Sequence, residues 1–220
     1  CKFRGAGQGV RVLVAEVVVS ALATRLGLHT PRLVALELDP AIARYEADEE
    51  VQDLLNASPG LNLGIDFLPG AFGYDGEQAT PADVAAQVLW LDAFTANVDR
   101  TWRNPNLLIR QGDLWLIDHG ATMIWHHNWP GADASAARPY DASDHALARF
   151  GPHVAGAAAQ LAPRVTEELL AEGTAQVPDA WLDGEPGFDT PDDLRRAYAR
   201  PLLARAAAVH ERVTGIEESK

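Results

Sequence analysis

Asp99, Asn104 and Asp118 fall within one short stretch, NVDRTWRNPNLLIRQGDLWLIDHG, which runs from Asn97 to Gly120. Two carboxylates and an amide, separated by an alternating apolar segment with Gln-Gly-Asp at its centre, suit the transfer of a phosphoryl group. An acceptor alcohol must be held in line with the phosphorus, and a carboxylate such as Asp99 does this by accepting the alcohol's proton. The phosphates also call for Mg²⁺, a hard ion that takes a few carboxylate or amide oxygens alongside phosphate oxygens. The D-x-x-x-x-N spacing turns the loop so that Asp99 faces the substrate and Asn104 the metal. The hairpin then brings the chain back and delivers Asp118 to the same metal.

The elements that must position these groups are legible around them. TPADVAAQVLWLDAFTANV (80–98) predicts the clearest helix, with Thr80 as N-cap and Pro81 in the first position. Residues 106–118 predict a hairpin. Upstream, VRVLVAEVVVSALATRLGL (10–28) predicts a helix stopping near Gly27, although its valines favour strands slightly. Residues 31–39 alternate as a strand, 41–58 read as a helix or partly helical excursion, and 61–73 read as a strand followed by a Pro-Gly turn. CKF at the start reads as the end of a strand, and RGAGQG (4–9) as a flexible turn. Downstream, 121–140 is mostly loop, and helices are predicted over 142–149, 153–172 and 190–213. The whole is α+β: a small mixed front and a larger, mostly helical back, with the boundary at 73/74.

Composition narrows the function classes. The 220 residues are 47% hydrophobic and 22% charged, as in ordinary globular chains. A net charge of −13 argues against a nucleic-acid surface. There is no run of apolar residues long enough for a membrane span. One cysteine, Cys1, excludes an internal disulfide and points to a reducing, cytoplasmic setting. Basic residues are almost all arginine; the two lysines are Lys2 and Lys220. A chain that avoids lysine yet keeps one at position 2 gives that residue weight, because a compact ammonium is not interchangeable with a guanidinium.

Taken together, DRTWRNPNLL followed by LIDHG resembles the catalytic and metal-binding segments of HipA-like kinases, relatives of the protein-kinase and phosphatidylinositol 3-/4-kinase folds. KFRGAGQG followed by VAEVVVSALATRLGL is similar to the kinase strand lysine and the helix that carries its glutamate partner. NLGIDFLPGAFG resembles the strand and hinge against which an adenine bonds. The resemblance covers roughly residues 2–130 and, more weakly, the helical tail. It implies a two-lobed kinase-like fold with a partial N-lobe (1–73) and a helical C-lobe (74–220). It implies Asp99 as catalytic base and Asn104 and Asp118 as metal ligands. Lys2 would contact the α- and β-phosphates of ATP and pair with Glu16, and Asp66, Phe67 and Leu68 would form the adenine-side hinge.

Departures from the protein-kinase pattern are plain. Asn97-Val98-Asp99-Arg100 replaces His-Arg-Asp, and the metal motif reads Asp118-His119-Gly120 in place of Asp-Phe-Gly. GAGQG follows the lysine, where a glycine-rich phosphate loop would precede it. The absence of an initiator Met marks the chain as a trimmed piece, in which Lys2 would sit on a frayed, mobile end. Competing readings are weaker. A zinc site from Asp118, His119, His126 and His127 lacks a His-x-x-x-His spacing. Trp102, Trp115, Trp125 and Trp129 read as packing for the loop after the metal aspartate, and Arg100 and Arg103 as solvated. The expectation is therefore an ATP- and Mg²⁺-dependent phosphotransferase acting on a protein, lipid head-group or small-molecule hydroxyl. The alternative is a nucleotide-binding pseudokinase or regulatory module without turnover.

Overall fold

The computed structural model describes residues 1–7 and 9–216. Val10–Leu26 forms α1, which ends at Gly27 in the left-handed conformation. Its valines are weak helix formers, but burial overrides that preference: Leu13 through Ala23 and Leu26 are all buried. A helix that is apolar on nearly every side belongs inside a core.

β1 (Leu33–Leu38) and β2 (Gly60–Ile65) pair antiparallel, with Leu33 opposite Ile65 and Leu38 opposite Gly60. The excursion between them resolves into a 3-10 turn over Pro40–Tyr45, capped by Asp39, and α2 (Glu49–Asn56), capped by Asp48. Lys2 adds one rung to β2, donating to the Leu63 carbonyl at 2.7 Å and accepting from its N–H at 3.0 Å.

A second antiparallel sheet runs in the order β3 (Phe72–Gly73), β4 (Leu107–Arg110), β5 (Asp113–Leu116). Leu107 faces Leu116 and Arg110 faces Asp113. That register leaves Gln111 and Gly112 as the turn, with φ of 55° and 92°, the twist a tight two-residue hairpin needs. Leu107, Ile109, Leu114 and Leu116 point into the core.

α3 (Ala82–Thr95) is buried along most of its length. Its N-cap is Pro81, not Thr80, and carries no side-chain bond. Pro81 keeps an extended ψ of 138°, so the helix starts at Ala82 and Thr80 lies too far back to reach its first N–H groups.

The C-terminal part comprises α4 (Ala132–Ala136), β6 (Tyr140–Asp141), α5 (Val154–Leu161), α6 (Glu167–Ala175), α7 (Pro191–Ala208) and β7 (Val213–Thr214), with β6 and β7 parallel. The helix expected over 153–172 is two helices, because a 3-10 turn at Ala162–Arg164 containing Pro163 interrupts it. The helix expected over 142–149 is absent apart from a 3-10 turn at Ala148–Phe150. There, side chains take the backbone donors instead: Asp141 accepts from the Ser143 N–H at 3.0 Å and His145 from the Leu147 N–H at 3.1 Å. α1 packs on α6, and α3 on α5. Among the described residues, no helix is long and apolar enough to cross a membrane.

Candidate active site

α3 leaves its last turn through Ala96, at φ 54° and ψ 49°. The Asn97 N–H reaches back to the Asp92 carbonyl at 2.8 Å and the Ala96 N–H to Ala93 at 3.3 Å, closing the helix in a Schellman turn. This fixes the direction in which the next residues depart. The Asp99 N–H donates to Asn97 Oδ1 at 3.0 Å. Asp99 Oδ2 then accepts from two amides, Asn104 Nδ2 at 2.8 Å and Asn106 Nδ2 at 3.0 Å.

Asn106 was missed by the five-residue spacing. It stands directly before β4 at φ 49°, a left-handed position that asparagine tolerates better than most residues. An asparagine abutting an apolar strand was the signal available. With both NH₂ groups turned to Asp99, the two side-chain carbonyl oxygens are left to accept from other partners.

At the far end of the hairpin, Asp118 also sits in the left-handed region, at φ 55°. Non-glycine residues held there concentrate at functional sites. Lys2 Nζ lies 2.6 Å from Asp118 Oδ1 and 2.7 Å from Glu16 Oε2. Glu16, on α1, is 2% exposed and accepts from the His119 N–H at 2.8 Å through the same oxygen. Lys2 is therefore not a frayed end. Two backbone bonds to Leu63 and two ion pairs pin it. Burial lowers the pKa of the ammonium, but Glu16 and Asp118 outweigh it and the pKa rises. Asp118 resists its own partial burial and is lowered, through Lys2. Glu16 is raised by burial, with Lys2 pulling against it.

Arg100, expected on a solvated face, is 1% exposed. Its Nε donates to Asp92 Oδ2 at 2.6 Å, and that oxygen also meets His145 Nε2 at 2.9 Å. Asp92 is fully buried, yet Arg100 and His145 overcome the burial and hold its pKa at about 2. The other end of the guanidinium bonds the Asn106 carbonyl, reaches Ile117 O at 3.4 Å and lies 3.3 Å from His119 Nδ1. His119 is held neutral, its pKa pushed down to about 3 by burial and by Arg100.

Lys2, Asp99 and Asp118 line one cavity of about 610 Å³. Ala6, Gly7 and Gly9 of the glycine-rich turn and Val12 of α1 share its wall. Gly120 allows the close approach of α1 here, since a Cβ on it would lie 2.4 Å from Val12 Cγ1. Asn104 is joined to the site through Asp99 and is not part of this wall. Asp66, Phe67 and Leu68 do not line it either. Phe67 is 87% exposed, and Asp66 pairs with Arg32 Nε at 2.9 Å.

Compared with known protein families, residues 3–210 match the model of the HipA-like kinase. The chain belongs to the HipA-like kinase family. A comparison with curated proteins gives no significant match.

In this HipA-like kinase the cavity brings Lys2 and Asp118 beside Asp99. A second cavity, of about 540 Å³, lies between α6 and α7 and holds none of the residues above. The tryptophans divide their roles. Trp125 is buried and Trp129 packs edge-on against Tyr198, with ring centroids 4.9 Å apart. Trp115 stacks on His29, and Trp102 is 59% exposed beneath the Arg103 guanidinium. His126 faces His127, Nε2 to Nε2 at 3.1 Å, and Tyr198.

Proposed function

We propose that the chain is an ATP- and Mg²⁺-dependent phosphotransferase that moves the γ-phosphate to a hydroxyl acceptor. The observation that carries this reading is the convergence of Lys2, from the start of the chain, with Asp99 and Asp118, from the two ends of the loop and hairpin, on one cavity of a HipA-like kinase. At about 610 Å³ the cavity is in the range of small-molecule sites.

Each residue has a role its surroundings support. Asp99 accepts the proton of the acceptor alcohol, and the two amides on Oδ2 orient its carboxylate. Lys2 meets the α- and β-phosphates, with Glu16 fixing it from below. Asp118 and Asn104 would hold the metal, and Asn106 would offer a second amide oxygen. All three present hard oxygens, which suits Mg²⁺. When bound, the ion neutralises phosphate charge as the phosphoryl group transfers. The glycine-rich turn covers the phosphate side. The adenine meets the backbone of Asp66, Phe67 and Leu68, where Phe67 and Leu68 N–H groups find no backbone partner among the described residues. In this reading residues 1–73 form a small lobe and 74–220 a larger one. The acceptor is a protein, lipid head group or small molecule, nucleic acid is disfavoured by the net charge of −13, and the setting is cytoplasmic.

The test is phosphate tracking. The protein is incubated with γ-labelled ATP, with and without Mg²⁺, in the presence of cell extract. Mg²⁺-dependent loss of label from ATP, to water, to the protein or to an extract component, supports a phosphotransferase. Nucleotide binding without any such loss favours the non-catalytic binding module.

A further inference from the structure

The buried guanidinium of Arg100 touches both halves of the site without reaching the cavity wall. Its Nε is tied to Asp92 on α3, the helix that launches the Asp99 loop. Its Nη1 bonds the carbonyl of Asn106 and faces that of Pro105 at 3.5 Å, where the loop enters β4. The same nitrogen reaches the carbonyl of Ile117, the residue before Asp118, and Nη2 faces the ring of His119, the residue after it. His119 in turn donates its backbone N–H to Glu16, the partner of Lys2. Arg100 itself follows Asp99 directly in the sequence. One planar group therefore holds carbonyls at the end of the Asp99 loop and the carbonyl directly before Asp118.

We propose that Arg100, anchored by Asp92, is a positioning residue that sets the separation between the Asp99 loop and the Asp118 turn. The inference rests on the phosphotransferase reading for its consequence in turnover, but the coupling of the two segments is a separate physical claim. Stability alone gives a buried ion pair little advantage, because well-packed apolar residues of similar volume often replace such pairs without loss. A fork that serves several carbonyls and a ring nitrogen is different. Lysine, a single compact charge on a flexible stem, cannot reproduce it. A misplacement of about 1 Å between reacting groups can cost on the order of 100-fold in rate.

The full chain is compared with Arg100→Lys and with the double variant Asp92→Leu/Arg100→Met, in which the pair is replaced by apolar groups. Unfolding midpoints, ATP affinity with and without Mg²⁺, and turnover are measured well below each midpoint. The expected result is that both fold cooperatively, bind Mg²⁺-free ATP within about threefold of the parent, and lose roughly 10- to 100-fold in kcat. The Mg²⁺ enhancement of ATP binding should shrink in both. A simply structural role predicts that the double variant, once folded, regains the parent kcat, and that result overturns the proposal. If neither variant folds, hydrogen exchange of the parent decides. Segments 101–107 and 115–120 should open together, and independent opening of 115–120 overturns the coupling. A parent that neither binds nor consumes ATP sinks the phosphotransferase reading alone, since the exchange measurement still tests whether the two segments are coupled.

Discussion

Lys2 Nζ is 2.6 Å from Asp118 Oδ1 and 2.7 Å from Glu16 Oε2, so one ammonium neutralises a carboxylate from α1 and one from the end of the hairpin. Glu16 is buried, and its charge is tolerated because Lys2 and the His119 N–H face it. Removing one partner of a buried ion pair leaves the other uncompensated, at a cost of roughly 3–5 kcal/mol. Lys2→Met should therefore destabilise strongly at pH 7, and less at pH 5, where Glu16 takes up a proton more readily. Lys2→Met/Glu16→Gln should recover a large part of the loss. Urea unfolding of both singles and the double checks this; strictly additive effects would show that the pair is not coupled.

Asp118 should govern the metal dependence of nucleotide binding. In Asp118→Ala, ATP affinity should become nearly independent of Mg²⁺, while the fold persists because Asp118 is half exposed. Calorimetric titration with and without Mg²⁺ gives the answer. An unchanged Mg²⁺ enhancement would take Asp118 out of the metal site.

The two amides on Asp99 separate by substitution. If Asn104 holds the metal, Asn104→Ala reduces Mg²⁺ enhancement and kcat while Asn106→Ala mainly loosens Asp99. If Asn106 is the ligand, the pattern reverses. Asn106 also holds a φ of 49°, which alanine adopts less readily, and its amide bonds Asp99, so Asn106→Ala should cost more stability, by roughly 1 kcal/mol or more. Equal, small effects of both on Mg²⁺ dependence would leave neither as a ligand.

Acid should weaken the fold earlier than carboxylate protonation alone explains. His119 and His126 are buried and neutral, with pKa values of about 3. In the unfolded chain each titrates near 6.5. Between those values the unfolded state binds protons that the folded state refuses. The stabilisation is complete above about pH 6.5 and is lost as pH falls towards 3. Each histidine contributes a slope of about 1.4 kcal/mol per pH unit once well below 6.5. His126→Gln should reduce the fall in unfolding free energy between pH 6 and pH 4.5, by up to about 1.4 kcal/mol per pH unit. An unaltered slope would show that His126 does not resist protonation.

Much of the arrangement was readable because periodicity and turn chemistry are local. The valine-rich α1, the alternation of β4 and β5 and the Gln-Gly turn all follow from short-range pattern. So did the resemblance carried by Asp99, Asn104 and Asp118. What was not readable depends on contacts between distant segments. Thr80 looks like a cap until Pro81 adopts its extended ψ. The stretch 142–149 looks helical until Asp141 and His145 take its backbone donors. Arg100 looks like a surface residue because only the fold brings Asp92, Ile117 and His119 around it. Asn106 lies seven residues from Asp99, and nothing in the spacing shows that it shares an oxygen with Asn104.

In the proposed mechanism Asp99 accepts the proton of the acceptor as phosphate is transferred. Asp99→Asn keeps the size of the side chain and removes its basicity, so the most direct measurement is Mg²⁺–ATP turnover of this variant beside the parent, with ATP affinity measured on both. A positioned base contributes about 10²–10⁴-fold, and the variant should lose turnover in that range or beyond while binding ATP within about threefold of the parent. Turnover equal to the parent's, at equal ATP affinity, would contradict the assignment of Asp99 and the phosphotransferase mechanism built on it.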